Sequence, residues 1–561
     1  MILLLVACAR APLPAPVPVA PARAELITMV LVDRFDNGDP GNDRASPGPA
    51  PDPGDPQGWH GGDLRGVINN LDLLAATGTT LLWISPVFRT RTEPIGVWGA
   101  YHGYWQWDPF TVEPRFGSEE ELAELAREAN ERGMGLLLDL VTNHVGYEAP
   151  LLQQQPEWFH DEPSIQDWSD RAQLERGQVH GLPDLAQERP EVRAWLHEVA
   201  RTWQERLPLS GYRVDAVRHV PNDFFAELGE AVLDRGAAWF LGEDFTGDPV
   251  ELSQSQRSGG FTHVFDFPLH YAMTEVFCDD ASPARLGAVL SLDRLYERPD
   301  GLVTFLDNHD LPRILSRCHG DEARVRRALA FMFAVRGVPS LTYGTEAGLQ
   351  GEEEPHNRAS MVFGPAPLRE EIAALAAWRG RAPLGPGGAQ EVVELGPDTL
   401  VLLRRQGREA LLTAVNRGEA DAAVRPWAGE VLEVSTTGLR TVSASEAEWA
   451  VPGRSVRSWR LRLEEEPAPA AEVELRVELR GAPEGELRLV GSDPRLGAWK
   501  PEAGLPLVCE GATCSATVRA PRGSVWEGKP VSLQPDGSVR WADGDNRAAL
   551  LGEDGVWSLD W

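Results

Sequence analysis

Between residues 25 and 385, short apolar runs alternate with longer stretches in which apolar positions recur every three or four residues. That is the pattern of strands and amphipathic helices taken in turn. The runs are LITMVLV (26–32), TTLLWIS (79–85), MGLLLDL (134–140), YRVDAV (212–217), AWFLGE (238–243), THVFDF (262–267), LVTFL (302–306) and PSLTY (339–343). Eight strands with helices between them predict an α/β chain closed as a (β/α)8 TIM barrel. SEEELAELAREANERG opens on Ser118 and Glu121, a capping box, and stops at Gly133. PEVRAWLHEVARTWQERL (190–207) and ARVRRALAFMFAVRG (323–337) read as further helices.

About forty residues without clear periodicity separate the third strand from the helix at 190, so an inserted domain is expected at about 145–188. After residue 385 the helical period stops. Alternating segments such as TLVLLRRQ and EALLTAVNRG predict a small β-sandwich domain over 386–463. EEEPAPAAE (464–472) reads as a linker, and 473–561 as a second β-sandwich module rich in tryptophan.

The 561 residues carry a formal charge of −32, which argues against nucleic acid as a partner, because phosphate binding rests on clustered Lys and Arg. No protein partner is implied. Nineteen tryptophans suit both core filling and stacking against sugar rings. The start, MILLLVACAR, resembles a bacterial lipobox with Cys8 as the lipid-bearing residue, although a basic n-region is missing. Residues 1–24 therefore read as a signal remnant followed by a stiff Pro/Ala tether, which implies a secreted or lipid-anchored, extracytoplasmic protein. Cys509 and Cys514 are close enough to bridge a hairpin, whereas Cys278 and Cys318 could be paired or free.

The chemistry gathers at strand ends, where barrel enzymes carry their reactive groups. Strand three runs into Asp139 and then Asn143-His144. Strand four carries Arg213, Asp215, Arg218 and His219, strand five ends at Glu243, and strand seven leads to His309-Asp310. Taken singly, a strand-end Asp commonly caps the next helix. Together, Asp215, Glu243 and Asp310 would converge on one mouth.

DLVTNH, GYRVDAVRH, the GED at Glu243 and FLDNHD resemble, in order and spacing, four signature segments of the α-amylase family, glycoside hydrolase family thirteen. GLPDLAQERPEVR resembles its domain B segment, and YHGYW (101–105) and YGTEAGL (343–349) resemble further family stretches. The resemblance implies retaining endo-hydrolysis of α-1,4-glucosidic bonds in starch, glycogen or maltooligosaccharides. Asp215 would be the nucleophile, Glu243 the acid/base and Asp310 the third carboxylate. Such cleavage needs one ionised and one protonated carboxyl about 5 Å apart. Arg213, on the same strand face as Asp215, would keep the nucleophile ionised, and nearby carboxylates would favour a protonated Glu243. His102, His144 and His309 would bind hydroxyls, and Tyr104 would stack under a ring. Arg218 stands where the family commonly has Lys, before His219, on the leaving-group side. His180, four residues before Asp184, stands where cyclodextrin glucanotransferases carry an aromatic residue. That weakens a cyclising role, and a 4-α-glucanotransferase or cyclodextrin-type transglycosylase stays as the alternative. A non-catalytic glucan-binding protein is a third reading, opposed by the intact carboxylates.

DRFDNGDPGND (33–43) packs oxygen donors into a Gly-containing loop, as a hard cation needs. It resembles a family calcium loop, which implies Asn37, Asp39, Asn42, Asp43, Gly61 and Asp63 as Ca2+ ligands. A second Ca2+ would use Asn143, Asp184 and the carbonyl of His219. LRLVGSDPRLGAWKPEAGLPL, WEGK and DGSVRWADGDNR resemble starch-binding modules of carbohydrate-binding family twenty. Trp499, Lys529, Trp541 and Asn546 match their glucan contacts, while Gly528 stands where an aromatic is common.

Overall fold

The structure, a computed structural model, describes residues 25–381, 388–436, 449–466, 471–481, 483 and 485–561. Cys8 and the tether lie outside the described residues, as does part of the segment read as a linker.

All eight strands form: β1 (Ile27–Val30), β2 (Leu81–Ile84), β3 (Gly135–Leu140), β4 (Gly211–Val214), β5 (Trp239–Gly242), β6 (His263–Phe265), β7 (Leu302–Phe305) and β8 (Val338–Thr342). They close into one barrel in the order β1-β8-β7-β6-β5-β4-β3-β2. Nearly every strand residue is buried. Burial on both faces is why these strands read as unbroken apolar runs rather than as an alternation. Several strands end earlier than the runs suggest, for local reasons. β4 stops before Asp215 because Ala216 turns left-handed at φ +51°. β6 stops at Phe265 because Asp266 caps the next helix, its Oδ1 accepting from Leu269 N at 3.1 Å.

The chain divides into two compact units. The first holds residues 30–75 and 80–243. In it, α1 (Glu119–Glu131) begins with the Ser118/Glu121 capping box, and Gly133 past its end takes φ +75°. Helix α2 (Pro190–Arg206) follows the excursion after β3. That excursion contains two short helices, Leu151–Gln154 and Arg171–Arg176, and is stitched back by isolated bridges, His144 to Asp184 and Phe159 to Leu185.

The second unit holds residues 25–29, 76–79 and 244–561. Its helices include α3 (Ala284–Leu290) and α4 (Glu322–Ala334). Next comes an antiparallel sheet of five strands, Ala389–Leu395, Thr399–Gln406, Glu409–Asn416, Gly429–Thr436 and Ser455–Leu463, around Trp459, Leu412 and Val434. The last module is a sandwich of a four-stranded and a five-stranded sheet, with Val477, Leu479, Leu489, Trp526 and Leu559 in its core. Cys278 bonds to Cys318, and Cys509 to Cys514. The module is more than tethered: its Val525 belongs to the same apolar cluster as Leu286, Leu290 and Leu400. Among the described residues no helix is long and apolar enough to cross a membrane.

Candidate active site

In the first unit the site is organised by one buried guanidinium. Arg213 and Asp215 are two residues apart at the end of β4 and so share a face. Arg213 Nη1 donates to Asp215 Oδ1 at 2.8 Å and to Asp139 Oδ1 and Oδ2 at 2.9 and 3.0 Å. Its Nη2 lies 2.5 Å from Glu243 Oε1 as an ion pair. Glu243 Oε2 accepts from Ala216 N at 3.3 Å, so the left-handed turn at Ala216 aims an amide at the acid. A non-glycine residue there stores strain of about 1 kcal/mol or more, a cost commonly met beside functional groups.

Burial disfavours a charged Arg213, but the carboxylates of Asp139, Glu243 and Asp215 outweigh it and hold the guanidinium protonated far above its usual range. Burial pushes the Asp139 carboxyl up to about 6, against the pull of Arg213. Asp139 has two further donors on Oδ2, Trp83 Nε1 at 3.0 Å and the Tyr104 hydroxyl at 2.8 Å. The sequence contains Asp139 inside DLVTNH but does not reveal it as the anchor of Arg213. The available signal is a charge inside the all-buried strand GLLLDL. The Asp215 side chain is 12% exposed while those of Arg213 and Asp139 are closed off, so solvent or substrate meets Asp215 first.

Tyr104, His102 and His144 form a connected group. Tyr104 N donates to His102 Nδ1 at 3.1 Å, which leaves Nε2 as the protonated nitrogen of that ring. The two rings lie 5.8 Å apart and near parallel. His144 Nε2 is 3.2 Å from the Tyr104 carbonyl, and burial lowers its pKa, so it is a neutral donor. On the inserted side, His180 is exposed at φ +52° and its carbonyl accepts the Tyr147 hydroxyl at 2.7 Å. Arg218 is half-buried, with its carbonyl accepting from Arg171 at 3.3 Å. His219 Nδ1 faces the Leu174 carbonyl at 3.0 Å, and burial lowers its pKa to about 4. Trp168, which the sequence does not single out, is 46% exposed, 5.8 Å from the His219 ring and 6.5 Å from that of His180. It lies in the excursion, where no periodicity marks it.

In the second unit, Asp310 follows β7 and is exposed. Its Oδ1 accepts from Arg358 Nη2 at 2.8 Å, and its Oδ2 lies 3.3 Å from His309 Nε2. His309 is buried, its carbonyl accepting from Arg358 Nε at 2.8 Å and Asn357 Nδ2 at 3.0 Å.

Both proposed calcium positions have oxygens that lack donors. Asn143 Oδ1 faces only acceptors, Asp184 Oδ1 at 3.1 Å and the His219 carbonyl at 3.0 Å. A cation between three such oxygens, or a turned amide, relieves that arrangement. In the loop, Asn37 Oδ1 and Asn42 Oδ1 are buried without a partner. Asn37 Nδ2 donates to Asp43 Oδ1 at 2.9 Å. Gly61 sits at φ +91°, where a Cβ would stand 2.6 Å from Asn37 Nδ2 and 2.9 Å from Asp43 Oδ1. Asp39 Oδ1 accepts from Gly41 N at 2.9 Å. Asp63 accepts from the amides of Gly38, Asp39 and Gly66 and from Asn42 Nδ2, so turning the Asn42 amide would free one of its lone pairs. The donor sets thus fit a hard, oxygen-seeking cation, though among the described residues no cluster of three or more His, Cys, Asp or Glu is placed to hold a metal.

In the last module Trp541 is 39% exposed, Trp499 half-buried and Asn546 exposed, while Trp526 is core, its Nε1 donating to Asp493 Oδ2 at 3.0 Å. Lys529 Nζ donates to the Gly544 carbonyl.

A closed parallel barrel whose strand ends carry two carboxylates on one buried arginine defines a barrel protein with a carboxylate-based site. The model of the alpha amylase catalytic domain matches residues 29–374, and that of the starch binding domain matches residues 470–559. The chain belongs to the α-amylase family of glycoside hydrolases. It is 32% identical over 356 residues to the beta/alpha-amylase of Paenibacillus polymyxa, covering 60% of this chain and 29% of that one. It is 31% identical over 354 residues to the intracellular maltogenic amylase of Bacillus subtilis, covering 60% and 57%. The chain thus spans less than two thirds of the length of either relative. Among solved structures, the alpha-amylase of Geobacillus thermoleovorans complexed with acarbose superposes with TM-score 0.69 at 32% identity, over 78% of this chain and 98% of that one. The gamma-CGTase of alkalophilic Bacillus clarkii, at 21% identity, shares the fold over 97% of this chain and 99% of that one, with TM-score 0.71.

Proposed function

We propose that the protein is a retaining endo-α-amylase that cleaves α-1,4-glucosidic bonds in starch, glycogen or maltooligosaccharides. The reading is carried by one observation: Asp215 and Glu243 contact the two terminal nitrogens of the same guanidinium. Two carboxyls on one planar fork are held as near neighbours, which supports the close pairing of about 5 Å that a retaining enzyme uses over the wider gap an inverting one needs for its water. Asp215 attacks the anomeric carbon as the bond to the leaving oxygen breaks, and Glu243 delivers its proton to that oxygen. Glu243 then takes a proton from water, which displaces Asp215 and restores both groups. Arg213 stabilises the Asp215 carboxylate and, through Nη2, the Glu243 carboxylate left once its proton is delivered, and Asp310 is assigned to sugar hydroxyls. Tyr104 supplies a stacking face and His102 a donor, while His144 spends its N–H on the Tyr104 carbonyl and holds that segment in place.

A transfer activity is the second reading, supported by Trp168, an exposed indole beside His180 and His219 on which an acceptor sugar could stack. Time-resolved NMR of maltoheptaose digestion tests both. The α-anomer appears first in a retaining hydrolysis, early β-anomer overturns it, and products longer than the substrate establish transfer.

Ca2+ is assigned to the two oxygen-rich positions, where it would pin loops. Two disulfides support an extracytoplasmic location, for which a lipid anchor at Cys8 remains part of the proposal.

A further inference from the structure

Within the second unit, two arginines on and just after α3 reach the starch-binding module, and each lands on an acid that holds or adjoins a candidate glucan contact. Arg285 stands on α3 and Arg294 four residues past its end. Arg285 Nε is fixed on its own side by Glu275 Oε2 at 2.7 Å, and its Nη1 reaches Glu527 Oε2 at 3.3 Å. The other oxygen of Glu527 accepts from Asn546 Nδ2 at 3.3 Å. Arg294 Nη2 lies 2.6 Å from Asp493 Oδ2. Asp493 is 1% exposed, and a buried carboxylate without its arginine is costly. Its Oδ1 caps the turn at 494–496 through Arg495 N at 2.9 Å, and its carbonyl accepts from Ala498 N at 3.2 Å. That turn delivers Trp499, whose φ of +64° is a conformation a large side chain holds only under outside constraint.

Between the two arginines the contact is close. A Cβ on Gly287 would meet Val525 Cγ2 at 3.0 Å, and Val525 N donates to Ser291 Oγ at 2.6 Å.

We propose that α3 and the turn after it set the geometry of the module's glucan site through Arg285–Glu527 and Arg294–Asp493. Arg285 and Arg294 are positioning residues, and starch binding is coupled to docking of the module on α3. This rests on the reading that Asn546 and Trp499 contact glucan. An arginine holding one oxygen of Glu527 orients the other toward Asn546. Glucan bound at Asn546 in turn favours the docked state, because coupling free energy is reciprocal.

Adsorption of the full chain to granular starch at 4 °C tests the idea with R285A, N546A, the double variant, R294A, W499A, R285K and R294K. R285A and N546A are each expected to weaken adsorption about fivefold, with the double variant no weaker than N546A alone, since both act on one chain of contacts. The lysine variants keep the charge and should recover part of the loss, which a merely unstable fold would not show. Additive losses in the double variant, or wild-type adsorption by R285A and R294A, overturn the proposal. Wild-type adsorption by both N546A and W499A removes the glucan-site reading itself, and the proposal falls with it.

Discussion

Arg213 Nη1 lies 2.8 Å from Asp215 Oδ1 and uses the same hydrogen-bonding side of its fork to hold Asp139. One cation therefore serves a fully buried carboxylate and one that reaches the surface. Arg213→Lys keeps a charge but loses the planar fork, so it cannot hold Asp139, Asp215 and Glu243 together. Replacing Arg213 by Met strands Asp139 in the core, at a cost of about 3–5 kcal/mol in urea unfolding. The lysine variant should fold better than the methionine variant and still lose at least about a hundredfold in kcat.

Asp215→Asn removes the proposed nucleophile with little change of side-chain volume. Turnover of soluble starch should fall about a thousandfold or more while adsorption to granular starch stays at the wild-type level, because adsorption belongs to the last module. Unchanged turnover would move the nucleophile elsewhere.

Acid should destabilise the protein through histidines that burial keeps neutral. Burial lowers the pKa of His263 to about 3 and that of His270 to about 4. Below about 6.5 the unfolded chain takes up protons at these sites while the native protein does not. Stability is thus fully present above 6.5 and is lost as pH falls toward 4, at up to about 1.4 kcal/mol per pH unit for each histidine. His270 stacks on Phe305 with centroids 4.8 Å apart and planes at 3°. His270→Gln keeps a side-chain N–H donor but does not titrate, so its urea stability between pH 7 and 5 should have a visibly shallower slope than the wild type.

The barrel was legible because burial on both strand faces writes β3 as GLLLDL and β5 as WFLG, runs that stand out from their helices. Strand ends were less so: nothing in YRVDAV says that Ala216 turns left-handed, since Glu243, far along the chain, receives its amide. Arg213 and Asp215 could be read as charges that a buried strand must compensate. Asp139 carries the same signal, but its partners Trp83 and Tyr104 come from other segments, and long-range contacts leave no local period. Trp168 and the acids Glu527 and Asp493 were missed for that same reason.

Within the last module the tryptophans divide by environment. Trp526 is fully buried, and its indole N–H is satisfied by Asp493, so Trp526→Ala should cost about 3–5 kcal/mol of stability. Trp541 is 39% exposed, so Trp541→Ala should change stability by less than about 0.5 kcal/mol while weakening starch adsorption about tenfold. Thermal melts and adsorption isotherms on the two variants separate core from contact.

Calcium removal should loosen the excursion after β3 before it affects the barrel. Asn143 follows β3, Asp184 ends the excursion, and the His219 carbonyl follows β4, so a cation between their oxygens would tie three separate segments. Without it, Asn143 Oδ1 faces two acceptors, an arrangement costing about 1–3 kcal/mol unless the amide turns. A chelator should lower Tm and speed proteolysis at 145–188, and added Ca2+ should reverse both. Asn143→Ala removes one oxygen, so the Tm of this variant should respond less to calcium than that of the wild type. If it responds fully, the shift belongs to the loop at 37–43, and Asn42→Ala then abolishes it. A wild-type Tm indifferent to both chelator and calcium removes both assignments, and Asn143 then simply turns its amide to donate to Asp184 and His219.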